Sequence, residues 1–165
     1  MSKLLFAAGL FLLTACRPAS DVAGQQAATA TSQPSPTHPA VVLPDGAVVA
    51  VELATDDDTR QQGLMYRESL EPLKGMLFIF PAAGDYPFWM KNTMIPLDML
   101  WIDDSRHIVH IEQDVPPCTA DPCPSYPPGA KAKYVLELKA GEAAAHHLQN
   151  GAMLQMRNID GVQVR

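Results

Sequence analysis

The sequence lacks several features that would place it in a common functional class. It has no run of about 20 apolar residues, the length that a helix needs to span a bilayer. Its 12 Lys and Arg residues form no basic patch and are outnumbered by 18 Asp and Glu residues, which argues against a nucleic-acid partner. It contains no internal repeat and no Ser-His-Asp, Cys-His or phosphate-loop pattern, and we predict no cofactor.

The first residues have the pattern of an export signal. A short apolar stretch, residues 4–13, follows the positively charged Lys3, as in secretory signals. The letters LTAC that end it resemble the lipobox of bacterial lipoproteins, which implies cleavage before Cys16 and diacylation of that residue. Residues 1–15 are therefore predicted to be a lipoprotein signal peptide. The alternative is an ordinary secretory signal without lipidation.

The lipid anchor would place the protein in the bacterial cell envelope, facing the periplasm. Two or more acyl chains give stable membrane attachment, whereas a single chain binds only marginally. By enterobacterial sorting rules, Arg17 in place of Asp favours the outer membrane. Residues 16–40 are rich in Ala, Thr, Ser, Gln and Pro, and we interpret them as a flexible linker. Residues 41–165 have the length of a single globular domain.

The two remaining cysteines, Cys118 and Cys123, lie in a proline-rich loop. The space outside the inner membrane is oxidising, so we predict a disulfide between them that staples the loop. A zinc site that includes His107 and His110 is the alternative. These histidines are three residues apart in a predicted strand and would point to opposite faces, which disfavours a shared metal ion. We predict no metal site.

Short apolar runs separated by turn residues predict a compact, mainly β domain of the α+β class, with a small barrel as one arrangement. Two short helices are predicted at 56–62, with Thr55 as N-cap and Asp58 as its capping-box partner, and at 140–149, ended by Gly151. The predicted strands are 41–43, 47–53, 76–80, 88–91, 97–102, 107–113, 133–138, 153–157 and 162–165.

Six phrases together resemble a known prokaryotic family, domain of unknown function 192. They are GLMYR (63–67), GMLFIF (75–80), FWMKNT (88–93), IPLDMLWID (95–103), PCPSYP (122–127) and YVLELKAGEA (134–143). The resemblance covers nearly all of residues 48–157. It implies a small, β-rich and often exported domain with a paired-cysteine loop, and it carries over no activity and no catalytic residues.

The segment FWMKNTMIPLDMLWI places polar side chains within the most apolar part of the chain. One interpretation is structural. Lys91 would extend along Trp89 and form an ion pair with Asp98, while Asn92 and Thr93 would cap the turn between two strands. The expected alternation places Asp98 on the strand face of Leu100 and Ile102.

The functional alternative is a cleft lined by Trp89, Lys91, Asn92 and Asp98. An aromatic platform beside a few polar donors suits a sugar, a peptide or a small acidic ligand. A lysine shielded from water could also act as a base or nucleophile, so a small envelope enzyme that uses Lys91 or Asp98 remains an alternative.

Arg67 is a further candidate cleft residue, since its guanidinium can bind a carboxylate through two hydrogen bonds. It could equally pair with Glu68, Glu71 or Glu137 at the surface. The direction of Glu137 within its predicted strand is unclear, because the apolar alternation around it is imperfect.

Methionines at 65, 76, 90, 94 and 99 fall in the family-like region. Thioethers can bind Cu(I), but methionine is also an ordinary core residue, and those at 90, 94 and 99 do not share a strand face. A copper-binding protein is therefore the weakest alternative. The function favoured by the sequence is a lipid-anchored binding or interaction module whose ligand is a small molecule or an envelope protein.

Overall fold

The computed structural model describes residues 38–165. The predicted signal peptide, the lipidation site Cys16 and most of the predicted linker lie outside these described residues. Within residues 38–165, neither helix has the length and hydropathy that a membrane-spanning segment requires.

Residues 38–165 form nine strands and two short helices, which confirms the mainly β, α+β prediction. In chain order they are β1 (Ala40–Val42), β2 (Val48–Ala54), α1 (Asp57–Gln62), β3 (Lys74–Gly84), β4 (Phe88–Trp89), β5 (Leu97–Ile102), β6 (Ile108–Val115), β7 (Ser125–Tyr126), β8 (Ala132–Lys139), α2 (Glu142–Ala145) and β9 (Gln155–Arg157).

Seven strands form one sheet in the order β6-β5-β8-β3-β2-β1-β9, and β4 pairs with β7 beside it. β2 and β3 are parallel and are joined through α1, whereas the other neighbours are antiparallel. The sheet is open and does not close into a barrel. The segments just before β6 and β9 meet at one corner, at a bridge between His107 and Met153.

Both faces of the central strands are covered, which explains why β5 is buried at every position. One face, which we call the α2 face, packs Leu100, Leu136 and Leu138 against Ala143 of α2. The other face, here the α1 face, carries a second cluster beneath the turn that follows α1. Its members include Leu64, Met76, Phe78, Met99, Trp101 and Val135. The apolar residues of the central strands therefore form two hydrophobic cores, one on each face of the same sheet.

Helix α1 begins one residue later than predicted. Its N-cap is Asp56, not Thr55, because the Asp56 carboxylate accepts a hydrogen bond of 2.9 Å from the Thr59 backbone N–H. Thr59 completes the capping box in the place predicted for Asp58, which lies in the first turn. The helix ends at Gly63 as predicted.

Helix α2 is much shorter than the predicted helix at 140–149. It ends at His146, and His147 has a positive φ of 52°, which reverses the chain. The Leu148 N–H then donates to the Ala143 carbonyl at 2.8 Å, and the Leu148 side chain is buried in the α2-face core. The free energy gained by burying Leu148 outweighs the helix propensity of the neighbouring alanines, so the helix stops early.

The predicted closing strand at 162–165 is absent from the described structure. That segment instead runs toward the start of α1, where the Arg165 N–H donates to the Thr55 carbonyl at 2.8 Å. The strand predicted at 88–91 ends at Trp89, two residues early, since the chain turns immediately afterwards.

Candidate functional site

The turn after β4 holds the polar residues of FWMKNT. The Thr93 N–H donates to the Met90 carbonyl at 3.2 Å, and Asn92 adopts a positive φ of 56°, a conformation that asparagine tolerates well. The Lys91 ammonium lies 5.6 Å from the centre of the Trp89 ring, so the predicted packing of these two side chains is present.

The predicted ion pair between Lys91 and Asp98 does not form. Asp98 is fully buried on the α2 face, where Oδ1 accepts from the Asp114 N–H at 2.8 Å and Oδ2 from the Ala143 N–H at 2.7 Å. Lys91 has no carboxylate within ion-pair distance in residues 38–165. Asp98 does share the face of Leu100, as the alternation predicted.

Arg67 pairs with Glu52, a partner that the sequence did not suggest. Its Nη1 and Nη2 atoms lie 2.6 and 2.7 Å from the two Glu52 carboxylate oxygens. This bidentate pairing lowers the pKa of Glu52. Arg67 and Glu52 line a separate depression from the one that Trp89 lines, so Arg67 does not join the predicted cleft.

The α1 face contains a cavity of about 290 Å³ between the sheet and α1. Its walls are residues between Asp57 and Met65, the polar side chains of Thr93 and Glu137, and five aromatic rings. The rings belong to Phe78, Phe80, Tyr86, Phe88 and Trp89. An apolar cavity with a few polar groups is the usual form of a small-molecule site, and this one lies at the small end of the common range.

Ring contacts hold the aromatic wall in place. Phe80 stacks on Tyr86 with centroids 3.6 Å apart, while Phe88 meets Phe78 edge-on at 4.8 Å and Trp101 edge-on at 5.8 Å. The two edge-on contacts have the geometry that aromatic pairs favour. The cavity is therefore preformed by mutual packing of its rings.

Arg60 closes one side of this wall, and its guanidinium is engaged by groups of the protein itself. Its guanidinium donates to the Ile79 carbonyl at 2.9 Å and to the Asp57 carboxylate at 2.8 Å. It also lies 5.4 Å from the centre of the Phe80 ring.

Glu137 is the buried acid of the cavity. It lies in β8 between Met76 of β3 and Met99 of β5, and it is only 5% exposed. Its Oε2 atom has no hydrogen-bond partner in residues 38–165. Burial raises the pKa of Glu137 to about 8, although the Arg67 guanidinium acts to lower it. At neutral pH this side chain is thus mostly an uncharged carboxylic acid.

Two glycines allow the chain to approach Glu137 closely. A Cβ atom at Gly75 would lie 2.3 Å from the Glu137 carbonyl oxygen, so only glycine fits there. A Cβ atom at Gly63 would lie 3.2 Å from the Phe78 ring and 3.9 Å from Glu137 Oε2. The turn that ends α1 therefore sits directly beside the unpaired carboxyl oxygen.

A second depression, of about 570 Å³, adjoins the cavity and shares Gln61, Gln62, Met65 and Trp89 with it. It adds three of the residues around the FWMKNT turn to the site, together with Asp58. These are Tyr66, Lys91 and Asn92. The structure thus brings Trp89, Lys91 and Asn92 together as the sequence predicted, and leaves Asp98 and Arg67 elsewhere.

The disulfide between Cys118 and Cys123 is present, with Cα atoms 5.6 Å apart. Cys118 packs against the α1-face core, and its N–H donates to the Met90 carbonyl at 3.4 Å. Further along the same loop, β7 pairs with β4 and places Ser125 opposite Trp89. The stapled loop therefore supports the outer wall of the cavity.

The described residues offer little for a metal ion. Residues 38–165 contain no group of three or more His, Cys, Asp or Glu side chains that could hold one. The methionines do not form a single cluster, since Met76, Met90 and Met99 are buried in the α1-face core while Met94 is 55% exposed.

Comparison with known sequences supports the resemblance noted above. The profile of the family described as Uncharacterized ACR, domain of unknown function 192, matches residues 40–156. The chain belongs to this family. No curated protein is significantly similar to it.

Two crystal structures resemble this domain of unknown function 192 protein. One is a Sinorhizobium meliloti 1021 protein with the provisional name of a transcription regulator, at 35% identity and a TM-score of 0.64 over 72% of this chain and 91% of that one. The other is a Novosphingobium aromaticivorans DSM 12444 protein of unknown function, at 29% identity and a TM-score of 0.64 over 71% and 82%.

Sequence reasoning missed the most unusual residue of this domain of unknown function 192 protein. Glu137 was considered only as a surface partner of Arg67. Glu137 shares the α1 face with Val135, because residues two apart in a strand share a face, but a strand that is apolar on both sides does not reveal which face that is.

Proposed function

We propose that this protein is a lipid-anchored module of the bacterial envelope that binds a small molecule in the α1-face cavity. The observation that carries the proposal is Glu137, a buried acid in the wall of a preformed aromatic cavity, whose Oε2 atom is unpaired and closed off from solvent. Leaving a polar group buried without a partner costs about 1–3 kcal/mol. A ligand that supplies the missing hydrogen bond would offset that cost.

Binding is favoured over the alternative of a small enzyme that uses Lys91 or Asp98. The two Asp98 oxygens are taken by backbone N–H groups on the opposite face of the sheet. Lys91 rests on Trp89 at the edge of the cavity. The two groups therefore do not form one reaction centre.

The binding role can be tested by screening a library of small molecules against the mature chain by two-dimensional NMR. We expect hits that shift the Trp89 indole and Gly63 amide signals and that are lost in Glu137→Leu, which removes the polar group. Glu52→Gln, in a separate depression, is the matched control and should retain them. A library without a hit at these signals would reject the cavity as a binding site.

The anchor is supported by the lipobox-like LTAC and requires its own test. We expect cells that express the chain to incorporate labelled palmitate into it and to retain it in the membrane fraction. Cys16→Ser should lose both properties. Release of the unmodified wild-type chain as a soluble periplasmic protein would instead support the ordinary secretory signal.

A further inference from the structure

The polar groups around the cavity and its adjoining depression include charged side chains of both signs, Asp57, Asp58, Arg60 and Lys91, and a set of uncharged ones. Gln61, Gln62 and Asn92 present carboxamides, and Thr93 presents a hydroxyl. At the inner end, burial raises the pKa of Glu137 to about 8, so that its carboxylic acid offers one O–H donor and an acceptor oxygen at neutral pH. This set of donors and acceptors matches alcohols and amides better than ions.

Two aromatic rings beside these groups face solvent. Trp89 is 47% exposed and Tyr66 is 67% exposed, although large aromatic side chains are normally well buried. The Tyr66 N–H donates to the Asn92 carbonyl at 2.9 Å, which ties the two walls of the depression together. Exposed rings on a fixed frame provide flat surfaces for a ligand.

From this arrangement we infer that the ligand is an uncharged saccharide, with one hydroxyl bound to the Glu137 carboxyl group and the apolar face of a sugar ring against Trp89. The inference rests on the proposed binding function. Sugar C–H groups carry a slight positive charge and are attracted to the negative face of an aromatic ring. Sugar hydroxyls both donate and accept, as the carboxylic acid does.

A cationic ligand fits less well, because the positive charges of Arg60 and Lys91 lie beside the rings and would repel it. The Arg60 guanidinium lies over Phe80, and the Lys91 ammonium lies over Trp89. An anionic ligand would meet the acidic side chains of Asp57 and Asp58, which line the cavity and the depression, so neither sign of charge is matched by this lining. Both alternatives would also lose hydration on entering an apolar cavity.

The dimensions indicate more than one sugar ring. The cavity of about 290 Å³ lies at the small end of ligand sites and suits a single ring. The adjoining depression of about 570 Å³ continues past Trp89 to Tyr66, which gives a second ring a place to lie. We therefore expect disaccharides to bind more tightly than monosaccharides.

The test is a titration of the mature chain with three disaccharides, N,N′-diacetylchitobiose, cellobiose and maltose, and with benzylamine and benzoate as charged probes. Each is added to about 50 mM, since isolated small sugars are expected to bind in the millimolar range. The readout is the Trp89 indole signal in two-dimensional NMR. We expect at least one disaccharide to shift it saturably, and neither charged probe to do so.

Variants test whether a saccharide binds through Glu137 and Trp89, as inferred, or elsewhere. Glu137→Gln keeps a donor and an acceptor, so saccharide affinity should stay within about fivefold, whereas Glu137→Leu should weaken it by about tenfold or more. Trp89→Ala, at a half-exposed position, should also weaken it, as read from the Gly63 amide. Glu52→Gln should leave affinity unchanged.

Three results would overturn the inference. One is that no disaccharide shifts the Trp89 signal. Another is that benzylamine or benzoate binds in place of the sugars, which would leave the proposed binding function intact. The third is saccharide binding that survives both Glu137→Leu and Trp89→Ala. Preference for the N-acetylated disaccharide would indicate a wall glycan, and preference for the glucosides a free sugar; either supports the inference.

Discussion

Two buried acids, Asp98 and Glu137, lie on neighbouring strands of the same sheet and one position apart in its register. Asp98 is paired with Leu138, and Glu137 with Met99. Because successive side chains of a strand alternate between faces, the two carboxyl groups point to opposite sides. They are 0% and 5% exposed, so they differ little in burial.

The two acids differ in their partners. Asp98 accepts from the N–H groups of Asp114 and Ala143 and so joins β5 to β6 and to the start of α2. Glu137 Oε2 accepts from no group within the described chain. A fully satisfied buried carboxylate is part of the architecture, whereas an unsatisfied acid beside a cavity costs stability that a hydrogen bond from a ligand would restore. The hydrogen-bond partners of the two acids, more than their burial, therefore distinguish the structural residue Asp98 from the candidate binding residue Glu137.

The largest expected effect of a substitution is at the satisfied acid. Asp98→Ala would leave one buried and one partly buried N–H group without an acceptor, and we expect a loss of about 3 kcal/mol in the free energy of unfolding, measured in urea. Asp98→Asn keeps one acceptor oxygen and should lose about half as much. If Asp98→Ala lost under about 1 kcal/mol, water would have to replace the carboxylate, and the contrast with Glu137 would fail.

The unsatisfied acid, Glu137, should make the free energy of unfolding depend on pH. The folded-state pKa of Glu137, about 8, lies above its ordinary value of 4.5, so between these values the folded protein holds a proton that the unfolded chain has lost. Stability therefore falls as pH rises through this window. Relative to Glu137→Gln, the wild type should lose about 3 kcal/mol of unfolding free energy between pH 5.5 and 8. A pH-independent difference would mean that Glu137 is charged and paired.

A smaller effect is expected from removing the disulfide of the loop that supports the α1 face, where Glu137 lies. Replacing both Cys118 and Cys123 by serine should lower the free energy of unfolding by about 2 kcal/mol through the loop entropy of the unfolded chain. The NMR signal of Trp89 should shift, whereas the Ala143 amide on the Asp98 face should not. Wild-type protein under reducing conditions is the control and should lose the same amount. Equal perturbation of both faces would remove the distinction between them.

The smallest expected effect comes from Arg67, whose charge acts on Glu137 without a hydrogen bond between them. Arg67→Met breaks a half-exposed pair and should cost about 0.5 kcal/mol, but it should raise the pKa of Glu137 further, because Arg67 acts to lower it. The midpoint of the pH-dependent loss of stability should move upward. Glu52→Gln breaks the same pair and keeps the Arg67 charge, so its midpoint should not rise. Equal midpoints in the two variants would contradict the link.

The sequence anticipated the strands well, because apolar runs and turn residues are local signals. It also placed Asp98 on the correct face, with Leu100. It could not identify the partners of Asp98, since these are backbone N–H groups 16 and 45 residues away. Almost every residue has a backbone N–H group, so the side-chain types do not indicate which of these groups will lie beside Asp98. The complementary charge of Lys91 therefore suggested the wrong pairing.

The candidate site was predicted only in part, for a related reason. Trp89, Lys91 and Asn92 are neighbours in sequence and stayed neighbours in space. Glu137 comes from a strand that is buried on both faces, where alternation of polar and apolar residues disappears and with it the signal for direction. Only the packing of α1 and its turn over β8 shows that this acid lines a cavity.

The position of β1 has a mechanical consequence. This strand is hydrogen-bonded to β2 on one side and to β9 on the other, so the chain enters the sheet through an interior strand at Ala40. Tension arriving along the preceding residues would load both ladders at once and in shear, because their hydrogen bonds run perpendicular to the strand. Such bonds must break together, whereas those of an edge strand peeled sideways break one at a time. A domain pulled from this end would hold its fold under load.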